Sequence, residues 1–189
     1  GKTLVIVPFA PDIVKSKETR HLARKFRTRR SQETFRRMWV HQFPGALKQR
    51  STFDEVQFAT FKNKPFLKEQ IFEIDPQNII TIDVPASGDK MSFEGVQTDF
   101  VLFMQTIQIA STQAYNEAGR PTDLYLGYAA NYYIWDNREG KLVSYGLIDV
   151  WQRADKRRQL IASIDDIATG ILKNGPFEKP LPPKTIGKS

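Results

Sequence analysis

The side chains that carry most acid–base and metal chemistry are scarce in this sequence. Histidine occurs at His21 and His41 alone, and cysteine is absent, which excludes thiol catalysis, disulfides and cysteine-ligated metals. Neither histidine has an acidic residue at a recognised metal-ligand spacing, so a surface or packing role is favoured for both. Asp165 and Asp166 are adjacent, and adjacent residues of a helix do not share a face, so a solvated or capping role is favoured over a catalytic pair.

Recognised catalytic motifs are also missing. The sequence has no glycine loop for phosphate, no nucleophile elbow and no HExxH zinc motif. It therefore predicts a protein that is not an enzyme and that has no metal or cofactor site. An enzyme that uses carboxylate or tyrosine chemistry remains a weaker alternative.

Basic side chains are concentrated in one segment. Ten Lys or Arg and two Glu lie between Lys15 and Arg37, a local net charge of +8 in a chain whose formal net charge is +7. Clustered cations attract nucleic-acid phosphates, an anionic membrane surface or an acidic protein. We take five residues of this segment as candidate partner contacts: Arg24, Lys25, Arg27, Arg29 and Arg30.

Nucleic acid is the alternative partner for this segment. Phe26 is able to stack on a base, but the repeated alternation of aromatic and basic residues that is typical of single-strand binders is missing. No RNP motif or zinc finger is present. A membrane surface or an acidic protein is at least as compatible with the charge.

A second candidate contact surface is rich in tyrosine and tryptophan. The stretch "YYIWDNREGKLVSYGLIDVW" places Tyr133, Trp135 and Tyr145 on two predicted strands, with Tyr125 and Trp151 nearby. Because Tyr and Trp are enriched at interfaces, the first three are candidate partner contacts. Packing of the same rings in the core is the competing interpretation.

The polar tip between these strands, Asp136–Lys141, is predicted to be a hairpin corner. Six polar or turn-forming residues between two apolar runs are typical of a hairpin. Gly140 is able to take a positive φ, Asn137 serves the turn geometry, and Lys141 begins the next strand.

The elements that position these residues are predicted from the spacing of apolar residues. The first element is a strand at 3–9, and a helix that is capped by Ser31 and kinked or interrupted at Pro44-Gly45 follows it. Next come a strand at 54–61, a helix end or edge strand near "EQIFEID" and an edge strand at 78–85. The last elements are a central strand at 99–111, the two hairpin strands and a helix that stops at Gly175-Pro176. This order predicts an α+β domain, with a mixed sheet of about five strands packed by two or more helices.

The chain is predicted to form one domain over residues 1–175, followed by a disordered Pro- and Lys-rich tail at 176–189. Within the domain, residues 15–30 are a basic insertion, either an exposed flexible loop or a solvated helix. No window approaches the roughly 18 apolar residues of a membrane span. Because the sequence begins at Gly1 and runs straight into a strand, we expect that a targeting or lipid-anchoring segment was removed ahead of it.

The order of elements resembles a domain of bacterial envelope lipoproteins. The resemblance rests on "TLVIVPF", "FDEVQFATF", "QTDFVLFMQTIQI", the hairpin tip "WDNREGKLVSYG" and the closing amphipathic helix, over residues 3 to 174. The group includes the N-terminal domain of the Tol-system translocation protein, the curli-secretion lipoprotein and the outer-membrane activator of a penicillin-binding protein. The basic insertion is longer than in this group, and residues 62–93 do not match cleanly.

The resemblance implies a non-catalytic accessory module that binds another envelope protein. It also implies a periplasmic location, with an outer-membrane anchor through a lipid on an N-terminus that this chain lacks. The group has no catalytic residues to carry over. The alternative is a cytoplasmic nucleic-acid-binding domain that uses Lys15–Arg37.

Overall fold

The computed structural model describes residues 1–7, 14–15, 31–173 and 175–179. These form a mixed sheet, two helices and two small two-stranded sheets. The helices are α1 (Ser31–Arg50) and α2 (Arg157–Lys173). The strands are β1 (Thr3–Ile6), β2 (Val14–Lys15), β3 (Glu55–Phe58), β4 (Phe61–Asn63), β5 (Leu67–Asp75), β6 (Asn78–Pro85), β7 (Ser92–Phe93), β8 (Phe100–Tyr115), β9 (Pro121–Asp136) and β10 (Lys141–Arg153).

The main sheet has the strand order β10-β9-β8-β1-β3, with β2 beside β8. Strand β1 lies between β3 and β8 and runs parallel to both, whereas β8, β9 and β10 form an antiparallel meander. Because Leu4, Val5 and Ile6 are buried on both faces, they form the continuous apolar run that a central parallel strand requires. The predicted α+β class, with helices packed on a mixed sheet of about five strands, is confirmed.

Both helices pack on one side of the sheet, which we call the helix face. Trp39 and Phe43 of α1 and Ile164 and Ile171 of α2 are buried there against inward-facing residues of β8 and β9. Helix α1 continues through Pro44-Gly45, so the interruption predicted there is wrong. Phe43, Ala46 and Leu47 on either side of the proline are buried, and this packing holds the helix together although Pro44 lacks a backbone donor.

The opposite side, the hairpin face, is covered over part of its length by the β5–β6 hairpin and by β4 and β7. Ile80, Ile82 and Val84 of β6 are buried against residues of the sheet. A bulge in β8 at Gln105 helps to dock the hairpin. The side-chain amide of Gln105 accepts from the backbone N–H of Asp83 at 3.0 Å and donates to its carbonyl at 2.9 Å.

Residues 175–179 extend the domain past its predicted end at residue 175. Phe177 is buried, and its ring lies 4.7 Å from that of Phe53 and 4.8 Å from that of Phe100 between centroids. The backbone of Phe177 also accepts a hydrogen bond from Thr52. The disorder predicted from residue 176 is therefore wrong for residues 176–179, because one aromatic side chain anchors them. Residues 180–189 lie outside the described part.

The strand predicted at 54–61 is divided in two. Strand β3 ends at Phe58 in the main sheet, and β4 begins at Phe61 and pairs with β7. The segments "EQIFEID" and "NIITIDVP" are the paired strands β5 and β6, so the strand alternative for "EQIFEID" is correct. The predicted central strand β8, the hairpin strands and the last helix are confirmed.

Candidate functional site

The part of the hairpin face that no described residue covers is the candidate functional surface. Strand β9 is regular, so its odd-numbered residues from Tyr125 to Trp135 share one face of the sheet. Tyr133 and Trp135 lie beneath the hairpin and are buried, whereas Tyr125 is 38% exposed. The hairpin therefore ends between these positions. We call the uncovered part the distal face; its exposed apolar side chains are Tyr125, Leu147 and Trp151.

Small residues lie at the centre of the distal face, and the ring of Trp151 lies over one of them. Cross-strand rows place Trp151 beside Gly127 and Ala110, and Asp149 beside Ala129. A Cβ atom on Gly127 would lie 2.5 Å from the ring of Trp151, so glycine is what allows the indole to lie flat over β9. Trp151 nevertheless stays 53% exposed. The face thus presents a half-exposed tryptophan beside small residues, which is typical of a protein contact surface.

A cleft of about 380 Å³ adjoins the distal face. It is lined by Glu73 and Ile74 from the hairpin and by Val143, Ser144, Tyr145, Gly146 and Leu147 from β10. The rings of Phe72 and Tyr145 lie 4.5 Å apart between centroids and join the hairpin to β10 beside the cleft. Among the described residues, β10 has a strand neighbour on one side only, so the cleft lies at an open sheet edge.

The polar tip Asp136–Lys141 is a structural corner with a buried clamp. Gly140 has a φ of +64°, as predicted, and β10 begins at Lys141. The carboxylate of Asp136 accepts from the backbone N–H groups of Arg138 and Glu139 and pairs with the guanidinium of Arg138 at 3.0 Å. Burial raises the pKa of this carboxyl, but those hydrogen bonds outweigh burial and hold the pKa below its ordinary value.

Asn137 has a larger role than the predicted turn geometry. It is buried, and its side chain donates to the backbone carbonyls of Met91 and Thr98 at 2.8 and 3.1 Å. Its side-chain oxygen accepts from the N–H of Met91 at 2.6 Å. The tip therefore fixes the 86–98 loop against the sheet, and its polar groups are engaged in the fold.

The predicted partner contacts have different fates. Tyr133 and Trp135 are buried, so the exposure expected of them is corrected: Tyr133 stacks on Phe103 at 4.5 Å, and the indole of Trp135 donates to the carbonyl of Asp89. Tyr145 is 37% exposed at the edge of the cleft. The other five predicted contacts lie outside the described residues, and their role stays a prediction: Arg24, Lys25, Arg27, Arg29 and Arg30.

Leu147 and Glu73 were not among the predicted contacts. A signal for Leu147 exists, because Tyr145, Leu147 and Trp151 alternate along β10 in the pattern of one strand face. No sequence signal identifies Glu73, since its position beside β10 results from docking of the distant β5–β6 hairpin.

The titratable groups that the sequence singled out form no metal cluster in the described part. There, no group of three or more His, Asp or Glu is arranged to hold a metal ion. Asp165 lies 3.5 Å from a guanidinium nitrogen of Arg50, and burial together with Asp165 raises the pKa of Asp166. Neither helix of the described residues combines the length and the apolar character that crossing a bilayer requires.

Comparisons with known proteins give distant structural similarities only. No family model and no curated protein matches the chain. A neuraminyllactose-binding hemagglutinin homolog from Helicobacter pylori has 10% identity and a TM-score of 0.36 over 91% of this chain and 81% of its own. Lipoprotein GNA1162 from Neisseria meningitidis has 13% identity and a TM-score of 0.27 over 92% of this chain and 100% of its own. The chain is thus distantly similar in structure to a bacterial lipoprotein.

Proposed function

We propose that the chain is a non-catalytic interaction module that binds another protein through the distal face. The observation that carries this proposal is the change along one face of β9, from fully buried Tyr133 to exposed Tyr125. The hairpin covers the Tyr133 end of this face, so side chains at the Tyr125 end are exposed to water. Leu147 and Trp151 extend this exposure across β10. Such a patch stabilises a complex when a partner covers it.

The partner that this surface fits is a protein with an apolar contact of its own. Trp151 supplies a large, rigid ring that loses little conformational entropy on binding. Ala129, a small and partly exposed residue opposite Asp149, leaves room for a partner's side chain. Asp149 and Asn131 add polar groups that fix orientation.

We further propose that the module works in the bacterial envelope. The support is the resemblance of element order in the sequence. Fractionation of cells that express the full-length tagged gene product tests this part: a periplasmic or membrane fraction is expected. Recovery in the cytoplasm alone would contradict it and make the nucleic-acid alternative the leading one.

Site-directed photo-crosslinking tests the distal face. A benzophenone amino acid at position 151 is expected to give a discrete protein adduct in living cells after illumination. The same group at Lys62, an exposed residue of β4 outside the distal face, serves as the matched control and is expected to give none. The second substitution Leu147→Asp is expected to abolish the adduct, because a charge in an apolar contact must be desolvated.

Equal crosslinking at positions 151 and 62 would contradict the proposal, as would adducts that survive Leu147→Asp. Far-UV circular dichroism of each purified variant confirms that the fold is retained. Residue 147 is partly exposed, so the substitution is expected to leave the sheet intact.

A further inference from the structure

We infer that the edge of β10, which has no strand neighbour among the described residues, accepts an extended basic segment of a partner protein as an additional strand. This inference rests on the proposed function and specifies the partner's chemistry. The floor of the cleft consists of five consecutive residues of one strand, 143–147. In a strand, consecutive residues share an opening only along the strand edge, where backbone N–H and C=O groups are available. An unpaired edge of this kind is a template for strand addition.

The edge is long enough and regular enough for pairing. After the bulge at Val143, β10 keeps a regular register with β9 from Ser144 to Arg153. A partner strand that pairs along this segment extends the sheet beyond the cleft, and its side chains on the hairpin face continue the rows of Leu147 and Trp151. The bulge at Val143 interrupts the ladder and fixes one end of the added strand.

The charges beside this edge favour a basic occupant. Lys141 pairs with Glu139, and Arg153 pairs with Asp123 and Asp155, so these two cations have anionic neighbours within the chain. Glu73 lines the cleft and Asp149 is exposed along the edge strand, and neither forms an ion pair among the described residues. A Lys or Arg on the partner strand supplies the missing charge.

The apolar side chains of β10 on the hairpin face indicate which other residues the partner strand must carry. On the hairpin face, Tyr145, Leu147 and Trp151 alternate with residues that point to the helix face. An added strand therefore presents apolar residues to these three at every second position, with basic residues where it passes Glu73 and Asp149. Asp149 lies on the same face of β10 as these three, so the partner segment is an extended stretch that places its apolar and basic residues on one face, at every second position.

A second copy of this chain fits the edge less well. If two copies of β10 pair antiparallel about a two-fold axis at Tyr145, the Glu73 carboxylates of both copies come to lie in one cleft. If the two-fold axis lies at Asp149 instead, the Asp149 residues of the two copies lie opposite each other. Both arrangements juxtapose like charges, which oppose association.

Selection from a phage-displayed library of random linear nonapeptides tests the inference with the full chain as bait. The enriched peptides are expected to carry apolar and basic residues together on one face, at every second position, and to compete with one another. Hydrogen exchange of the complex is expected to slow for amides within 144–152, because edge N–H groups become bonded. The substitution Glu73→Lys is expected to weaken binding by about tenfold or more, through charge reversal beside the edge.

Glu69→Lys is the matched control. Glu69 is an exposed residue of the same strand, β5, that does not line the cleft, so its reversal is expected to change affinity by less than about twofold. No enrichment over an unrelated bait would overturn the inference. So would peptides that leave exchange within 144–152 unchanged, or equal losses with Glu69→Lys and Glu73→Lys. A concentration-dependent dimer that protects the same amides would identify a second copy as the occupant and also overturn it.

The outcome is separable from that of the proposed function. If peptide binding at the edge fails while the adduct at position 151 persists, the distal face binds a partner without strand addition. If the adduct at position 151 is absent while peptides protect 144–152, the edge binds and the distal face does not. Loss of both contradicts both proposals.

Discussion

The side chain of Asn137 binds both backbone groups of Met91, accepting from the N–H at 2.6 Å and donating to the carbonyl at 2.8 Å. The backbone N–H and carbonyl of a residue normally form two such hydrogen bonds with a residue of a neighbouring strand. Here an amide side chain takes the place of the strand and holds the 86–98 loop against the meander. The polar hairpin tip therefore serves stability.

Asn137→Ala is expected to destabilise the domain by about 2–3 kcal/mol, because the buried backbone groups of Met91 and the partly buried carbonyl of Thr98 lose their partner. Asn116→Ala is the matched control. Asn116 accepts from two backbone N–H groups in the β8–β9 turn but is exposed, so water replaces it and the expected loss is below about 1 kcal/mol. Urea unfolding measures both, and equal losses would contradict the clamp.

Gly140→Ala is expected to cost more than Gly119→Ala. Both glycines have a positive φ, +64° and +69°, so each alanine bears a backbone cost of about 1–2 kcal/mol. A Cβ on Gly140 would lie 2.6 Å from the backbone of Gly88, whereas no atom lies within 4 Å of one on Gly119. The contact adds about 1–3 kcal/mol at position 140. Thermal unfolding of the pair isolates this difference, and equal costs would show that the approach to Gly88 relaxes freely.

Phe177→Ala is expected to destabilise the domain by about 3–5 kcal/mol, since the ring is buried between Phe53 and Phe100. Phe66→Ala removes the same atoms from a side chain that is 82% exposed and is expected to change stability by less than about 0.5 kcal/mol. Guanidinium unfolding compares them. A small loss for Phe177→Ala would place residues 175–179 outside the cooperative unit.

Asp136→Asn is expected to flatten the dependence of stability on pH. The folded-state pKa of Asp136 lies below the unfolded value, so its contribution is present above the unfolded pKa and is lost as the pH falls through the folded one. The variant is expected to be less stable by about 1–2 kcal/mol near neutral pH and to converge with the parent once the pH falls below the folded-state pKa. Unfolding across this range measures it.

Asp75→Asn is the control for this titration. Asp75 also accepts hydrogen bonds in a turn, from the side chain of Asn78 and the backbone of Gln77, and these lower its pKa. Because it is fully exposed, a smaller pH effect is expected. An equal effect would show that the buried position of Asp136 is immaterial.

Replacing Arg24, Arg27, Arg29 and Arg30 with Ser separates the two functional hypotheses. The nucleic-acid alternative predicts binding that falls steeply with salt and is lost in this variant while the fold is retained. The interaction-module proposal predicts that the adduct at position 151 persists. Filter binding at several salt concentrations, together with crosslinking, compares the two.

The sequence predicts the main elements because their periodic patterns are long. It does not predict which aromatic residues are exposed, for a reason that β9 makes clear. Tyr125 and Tyr133 lie on the same face of one strand, and alternation correctly assigns that face. Their burial differs because the β5–β6 hairpin, from elsewhere in the chain, ends between them. Local pattern determines the face of a side chain, whereas tertiary docking determines what covers it.

The end of the domain illustrates the same limit. Proline and lysine after Gly175 favour disorder by composition, and composition averages over a segment. Phe177 reaches a pocket formed by Phe53 and Phe100, which are distant in sequence. A single long-range contact of this kind leaves no periodic signal.

The central position of β1 has a consequence for synthesis of the chain. Thr3–Ile6 pairs with Glu55–Phe58 on one side and with Phe100–Leu102 on the other. During synthesis, β1 therefore lacks its second neighbour until β8 has emerged from the ribosome. Pairing of such separated segments has a high entropic cost of loop closure, so the sheet forms late and slowly. A nascent chain arrested before residue 100 exposes this apolar strand to chaperones.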